Sequence, residues 1–176
     1  MKVLGIDPGT YKTGWGFIEG TRGGFSRCEW GIIKPVKTLA LPERLAFVYD
    51  AICRARKKYF PDVIACEDPF LHKNVRSALA IGRAWAMAAL AAAKNGLPFS
   101  TYSPTAIKKS VTGYGRASKE QMASQIRTIL DIRDDVPEDA ADALSCAYCH
   151  LTDMRNYAQT SELQNRRKYP SRDAHV

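Results

Sequence analysis

The chain has 176 residues, 45% of them apolar, which suits one domain of ordinary size with a real core. A formal net charge of +8 and a sequence pI of about 9.3 favour an acidic partner, either nucleic acid or an anionic membrane surface. No apolar run approaches the length needed to span a bilayer, since AWAMAALAAAK is broken by Lys94 and preceded by Arg83. MKVLGID offers no signal-peptide apolar region, so a cytoplasmic protein is expected.

MKVLGID reads as a buried strand that ends in the turn signal Asp-Pro-Gly. GWGFIEG and FSRCEWGIIK follow as two more strands, joined by a tight turn around Thr21–Gly24, which makes a three-stranded antiparallel meander. From Pro42 to Tyr59 the apolar residues Leu45, Val48, Tyr49, Ile52 and Ala55 recur at helical spacing. DVIACE is a short apolar strand ending at Glu67, and FLHKNVR, residues 70 to 76, is a basic loop. Ser77 to Asn95 is an alanine-rich helix closed by Gly96, and LPFSTY is a fifth strand. Ser103-Pro104 opens a short helix, and Ser118-x-x-Gln121 is a capping box for a helix to about Leu130. Pro137 precedes a last long helix, 138 to about 157, so one domain spans 1–157. Residues 158–176, with Asn165-Arg166-Arg167-Lys168, read as a polar, basic, flexible tail.

The order β-β-β-α-β-α-β-α-α-α predicts an α/β fold, a mixed five-stranded sheet flanked by helices. Right-handed crossovers let the first strand lie parallel beside the strand ending at Glu67. Sites in such sheets gather beyond the carboxyl ends of strands, where Asp7 and Glu67 stand. The five cysteines, at 28, 53, 66, 146 and 149, are scattered and odd in number. Cys146 and Cys149 have CxxC spacing, but no second pair completes a zinc site and the pair falls inside a helix. Reduced core thiols are expected.

The helix EDAADALSCAYCH carries Asp139 and Asp142 near its start, three residues apart on one face beside an apolar stripe. Taken singly, each acid has an ordinary structural reading. Asp7 opens a turn, Glu67 is a strand-end charge, Asp139 suits the positive end of a helix, and Asp142 faces water. Taken together, two strand-end acids and two helix acids can converge on one point. Four close carboxylates repel unless a cation lies among them. Oxygen ligands without a His or Cys cluster suit Mg²⁺ or Mn²⁺. Two such ions, roughly 3.5–4 Å apart, activate water and stabilise a leaving oxygen in phosphodiester cleavage.

LGIDPGTYKTGWG, ACEDPF, VTGYGRASKEQ and DAADAL, in this order, resemble the RuvC family of Holliday junction resolvases over about residues 1 to 152. The resemblance implies a ribonuclease H-like fold of the retroviral integrase superfamily. It implies a Mg²⁺-dependent endonuclease, with Mn²⁺ as a substitute, that resolves four-way DNA junctions by paired symmetric nicks. The family's catalytic and metal-binding acids fall on Asp7, Glu67, Asp139 and Asp142, and its basic catalytic residues on Lys119 and Lys108. A homodimer built on the alanine-rich helix is implied, with a branch-migration helicase as an optional partner. Asp68, Glu138 and the acidic run Asp131 to Asp135 depart from the family pattern and mark a divergent, phage-type member. Glu138 leaves open which of it and Asp139 binds metal.

Between Thr101 and Arg133, six basic residues face two acidic ones, a surplus of four and half the net charge of the chain. Lys109, Tyr114 and Arg116 in this segment, with Lys73 and Arg76 in the earlier loop, are candidate DNA contacts. Phe70 is an aromatic in a basic loop, suited either to the core or to stacking on bases; the resemblance favours the bases. His72 reads as a solvated loop residue, and Trp15, Trp30 and Trp85 as core. Three rivals stand beside this reading: a kinase-like phosphate loop at Gly-Ile-Asp-Pro-Gly-Thr, a nuclease of the same fold acting on structured RNA or other branched DNA, and a junction binder without cleavage. The first lacks the second phosphate loop and lobe that it requires.

Overall fold

The computed structural model describes residues 1–21, 24–69 and 75–168, with side chains up to residue 154. Five strands and five helices follow in the predicted order: β1 (Lys2–Asp7), β2 (Thr13–Thr21), β3 (Gly24–Ile33), α1 (Leu41–Tyr59), β4 (Val63–Glu67), α2 (Val75–Lys94), β5 (Phe99–Tyr102), α3 (Pro104–Thr112), α4 (Lys119–Ile129) and α5 (Glu138–Lys168). They build one sheet in the order β3-β2-β1-β4-β5. β1, β2 and β3 form the antiparallel meander, and β4 runs parallel to both β1 and β5. The turn predicted around Thr21–Gly24 includes residues 22 and 23, which lie outside the described residues.

Strand alternation divides the core into two layers. Val3, Ile18, Val63 and Ala65 face α3, α4 and α5, packing with Ile107, Val111, Met122, Ile126 and Leu144. Leu4, Ile6, Phe17, Ile64 and Cys66 face the other way, onto Val48 and Ile52 of α1 and Ala88, Ala91 and Ala92 of α2. Burying each large apolar side chain contributes about 1.5–3 kcal/mol. The helix starts are capped as their sequences predict. Ser103 Oγ accepts from the Ala106 N–H at 3.2 Å; Ser118 Oγ accepts from Gln121 N–H, and the Gln121 side chain accepts from Ser118 N–H at 2.8 Å. Cys146 and Cys149 lie buried within α5, and all five cysteines are free. No described helix is long and apolar enough to cross a membrane.

α5 runs to Lys168, well past the predicted end near 157. The backbone of 158–168 is therefore helical. No Gly or Pro interrupts 138–169, and the first breaker is Pro170. The polar stretch beyond Met154 shows no apolar stripe, which is why periodicity alone ended the helix early.

α5 lies directly on the sheet. A Cβ built on Gly14 would run into the Asp139 carbonyl oxygen, one on Gly5 into the Ala143 carbonyl oxygen, and one on Gly16 would stand 2.7 Å from the Leu144 backbone nitrogen. Gly5 and Gly16 are cross-strand partners, so β1 and β2 together leave a bare strip for the helix. Gly14→Ala should therefore cost about 3 kcal/mol, the overpacking range at an unyielding backbone. A urea unfolding midpoint equal to that of wild type would contradict this close approach.

Candidate active site

The parallel register of β1 and β4 pairs Val3 with Val63, Gly5 with Ala65 and Ile6 with Cys66. One step further it sets Asp7 beside Glu67 at the carboxyl ends of the two strands. The same alternation that points Val3, Gly5, Val63 and Ala65 toward α5 points both acids toward it. On its other side Asp7 pairs with Gly14 of β2, the residue on which the Asp139 backbone rests. Ala140 and Ala141 N–H groups both donate to the Pro137 carbonyl at 2.9 Å, which starts α5 just before Asp139. Asp142 follows within one helical turn, above the same strands.

The charges are strongly coupled. Burial, followed by the charges of Asp142, Glu67 and Asp139, pushes the Asp7 carboxyl up to about 8. Burial also raises Asp142, against the opposing pull of Lys119. Lys119 Nζ donates to Glu138 Oε1 at 2.7 Å and to Asp142 Oδ2 at 3.2 Å. Burial works against its charge, but these two bonds hold its ammonium above the ordinary lysine range. The same interaction lowers Glu138. Lys12 Nζ stands 3.6 Å from Asp139 Oδ2.

Among the described residues no three His, Cys, Asp or Glu side chains form a preassembled metal nest. The carboxylates of Asp139, Asp142 and Glu138 are turned onto lysines instead. The donor set still fits a hard divalent ion: it is all oxygen, and it holds a carboxyl whose ionisation is opposed by three neighbouring acids.

Lys119 is thus brought to the acids. Lys108 lies partly buried on α3 and has no ion pair with them among the described residues. Lys109 lines a separate hollow of about 540 Å³ with Tyr102, Ser110 and Asp153. Tyr114 is exposed on the α3–α4 loop and borders a hollow of about 510 Å³ near Gln121, and Arg116 is exposed on the same loop. Arg76 is exposed in the first turn of α2. Phe70, His72 and Lys73 lie outside the described residues. Asp68 is exposed, and its N–H donates to the Tyr102 carbonyl at 2.9 Å, so its backbone extends the β4–β5 ladder.

Two residues at the site, Thr13 and Lys12, carry no signal of function in the sequence patterns above. Thr13 is buried and clamps the loop after Asp7: its Oγ1 donates to the Gly9 carbonyl at 2.6 Å and accepts from the Gly9 N–H at 3.3 Å. That clamp holds Lys12 over Asp139. The available signal was a threonine four residues after the glycine of Asp-Pro-Gly, a spacing that closes a tight loop.

The family model for crossover junction endodeoxyribonuclease RuvC matches residues 3–150. The chain is 44% identical over 151 residues to a crossover junction endodeoxyribonuclease RuvC of Dehalococcoides mccartyi strain BAV1, covering 85% of this chain and 90% of that one. It is 40% identical over 150 residues to the RuvC of Paramagnetospirillum magneticum, covering 85% and 90%. Its structure is similar to that of T. thermophilus RuvC in complex with a Holliday junction substrate, with a TM-score of 0.80 and 27% identity over 89% of this chain and 96% of that one. The fowlpox virus resolvase shares the fold, with a TM-score of 0.54 and 14% identity over 88% and 99%.

The Asp7 carboxyl has a stability consequence of definite sign. It is raised from 3.8 to about 8 on folding, so the folded protein keeps a proton that the unfolded chain releases. Its contribution is full below about pH 4 and is lost as pH rises through about 8. Without metal, wild type should weaken steadily between those limits. Asp7→Asn should weaken less, and at about pH 8.5 should exceed wild type by on the order of 2 kcal/mol. Parallel stability–pH curves in urea with a chelator would contradict the coupling.

Proposed function

Because the chain belongs to the RuvC family of crossover junction endodeoxyribonucleases, we propose that it cuts four-way DNA junctions at the acids gathered around Asp7, by divalent-metal-assisted phosphodiester hydrolysis. The observation that carries this reading is the pressure of Asp142, Glu67 and Asp139 on one buried carboxyl at a strand end. Such a pocket is relieved by a retained proton or by a cation.

Asp7, Glu67, Asp139 and Asp142 are the residues that would hold Mg²⁺, or Mn²⁺ in its place. When bound, the metal activates the attacking water and neutralises charge on the leaving oxygen. The chain's own groups do the rest. Lys119 keeps an ammonium at the mouth of the pocket, bridged between Asp142 inside and Glu138 outside. From there it can meet negative charge that grows on the phosphate in the transition state. Lys108, Lys109, Tyr114, Arg116, Arg76 and Lys73 would bind the DNA backbone, and Phe70 would stack on bases at the crossover. Val75, Leu79 and Leu90 leave large apolar groups exposed along α2, which supports a homodimer through that helix. A two-fold dimer would match the two like-polarity strands that a junction presents.

Asp7→Asn should reduce cleavage of a labelled synthetic junction by at least about 10³-fold, while a gel-shift midpoint moves only a few-fold. A mutant that nicks as fast as wild type would overturn the assignment. Lys119→Ala should lower kcat by roughly 10²-fold with little change in junction affinity, as loss of transition-state stabilisation demands. Weakened binding with unchanged kcat would contradict that role.

A further inference from the structure

Beside the acid pocket, at the same edge of the sheet, runs a groove of about 870 Å³. The loop after β1 forms one wall, the segment after β3 another, and the first turns of α2 a third. Three lysines line it, Lys12, Lys34 and Lys37, and no acid among the described residues does. Ala80 and Ile81 give it an apolar floor. Lys12 also faces Asp139 at 3.6 Å, so the groove borders the acids through this lysine.

Tyr11 stands on this wall, 57% exposed. The Arg44 guanidinium lies over its ring, 4.0 Å from the centroid. Arg44 Nε is buried without a hydrogen-bond partner, so this part of the guanidinium serves the ring and not a carboxylate or carbonyl. Tyr11 is thus backed by a cation and still more than half exposed. An exposed aromatic ring beside apolar side chains suits a flat, unpaired base, and the flanking lysines suit phosphates. A paired duplex would hide its base faces and make no use of the ring. A free acidic peptide would use the lysines alone.

We propose that this groove binds an unstacked stretch of the junction strand next to the acids, with one base on the exposed ring of Tyr11 and the neighbouring phosphates on Lys34 and Lys37. This rests on the junction-cleaving reading and adds a path for the strand that enters the site.

The test uses the full chain with Ca²⁺ in place of Mg²⁺ to hold the DNA uncut. The probe is a four-way junction with 2-aminopurine at each position flanking the crossover, beside a linear duplex of the same sequence. At one or more flanking positions, wild type and Tyr11→Phe should give the same change in fluorescence, and Tyr11→Ala should abolish it. Lys34→Ala combined with Lys37→Ala should weaken junction binding about 10-fold and lower the salt slope by about 2, one for each phosphate that is no longer neutralised. Circular dichroism checks that each variant is folded, and a variant that misfolds is replaced by Tyr11→Leu or by the single lysine changes. Unchanged fluorescence in Tyr11→Ala, or an equal loss on the linear duplex, would overturn the groove while leaving cleavage at Asp7 intact. Wild type that neither binds nor cuts the junction would instead bring down the functional reading, and the groove with it.

Discussion

The site depends on how closely α5 approaches the sheet. An α-helix packed through ordinary side chains would carry Asp139 and Asp142 too far from the strands to share a pocket with Asp7 and Glu67. Gly5, Gly14 and Gly16 remove the side chains between them, and the helix answers with Ala140, Ala143 and Ala147, all fully buried. The result is backbone against backbone. Three segments far apart in sequence are then locked at a spacing that rotamers alone would not hold. Because the backbones are fixed, the acids can relieve their repulsion only by turning their side chains, by pairing with cations or by keeping a proton.

That rigidity makes the pocket electrostatically unfavourable when it lacks a cation. Asp7 answers by keeping its proton, and the outer acids by pairing with lysines. Lys119 and Lys12 therefore compensate charge in the protein alone. Both lysines are 61% exposed, so their ion pairs contribute little to stability and are easily exchanged for other partners. A group that is weakly committed in the folded chain is well suited to act on a substrate. Glu138 gives Lys119 a second anchor beside Asp142.

Much of this was legible in the residues. Alternation, capping motifs and Asp-Pro-Gly were enough for all ten elements in order and for the parallel pairing of β1 with β4, because each signal is local or follows from chain handedness. The role of Gly5, Gly14 and Gly16 was not legible. A glycine in a strand says only that something comes close, and what comes close here lies more than a hundred residues away. The length of α5 was missed because its polar second half, beyond Met154, has no period to read. Side-chain destinations were the weakest point. Lys108 and Lys109 are neighbours in sequence and both basic, yet only Lys109 borders the hollow with Asp153, and neither meets the acids that Lys119 reaches.

Strand direction accounts for the remaining geometry. β1, β3, β4 and β5 all run the same way, and only β2 opposes them. The segments that leave β1, β3 and β4 therefore emerge at one edge. They carry Tyr11 and Lys12, Lys34 and Lys37, and the start of α2. Asp7 and Glu67 terminate strands at that same edge. Negative charge is thus recessed at the strand ends, and positive charge stands on the loops above it. The lysines of the rim therefore stand outside the acids, and the acids stand behind them. The sheet topology, rather than any single basic patch, brings these acids and lysines to one edge.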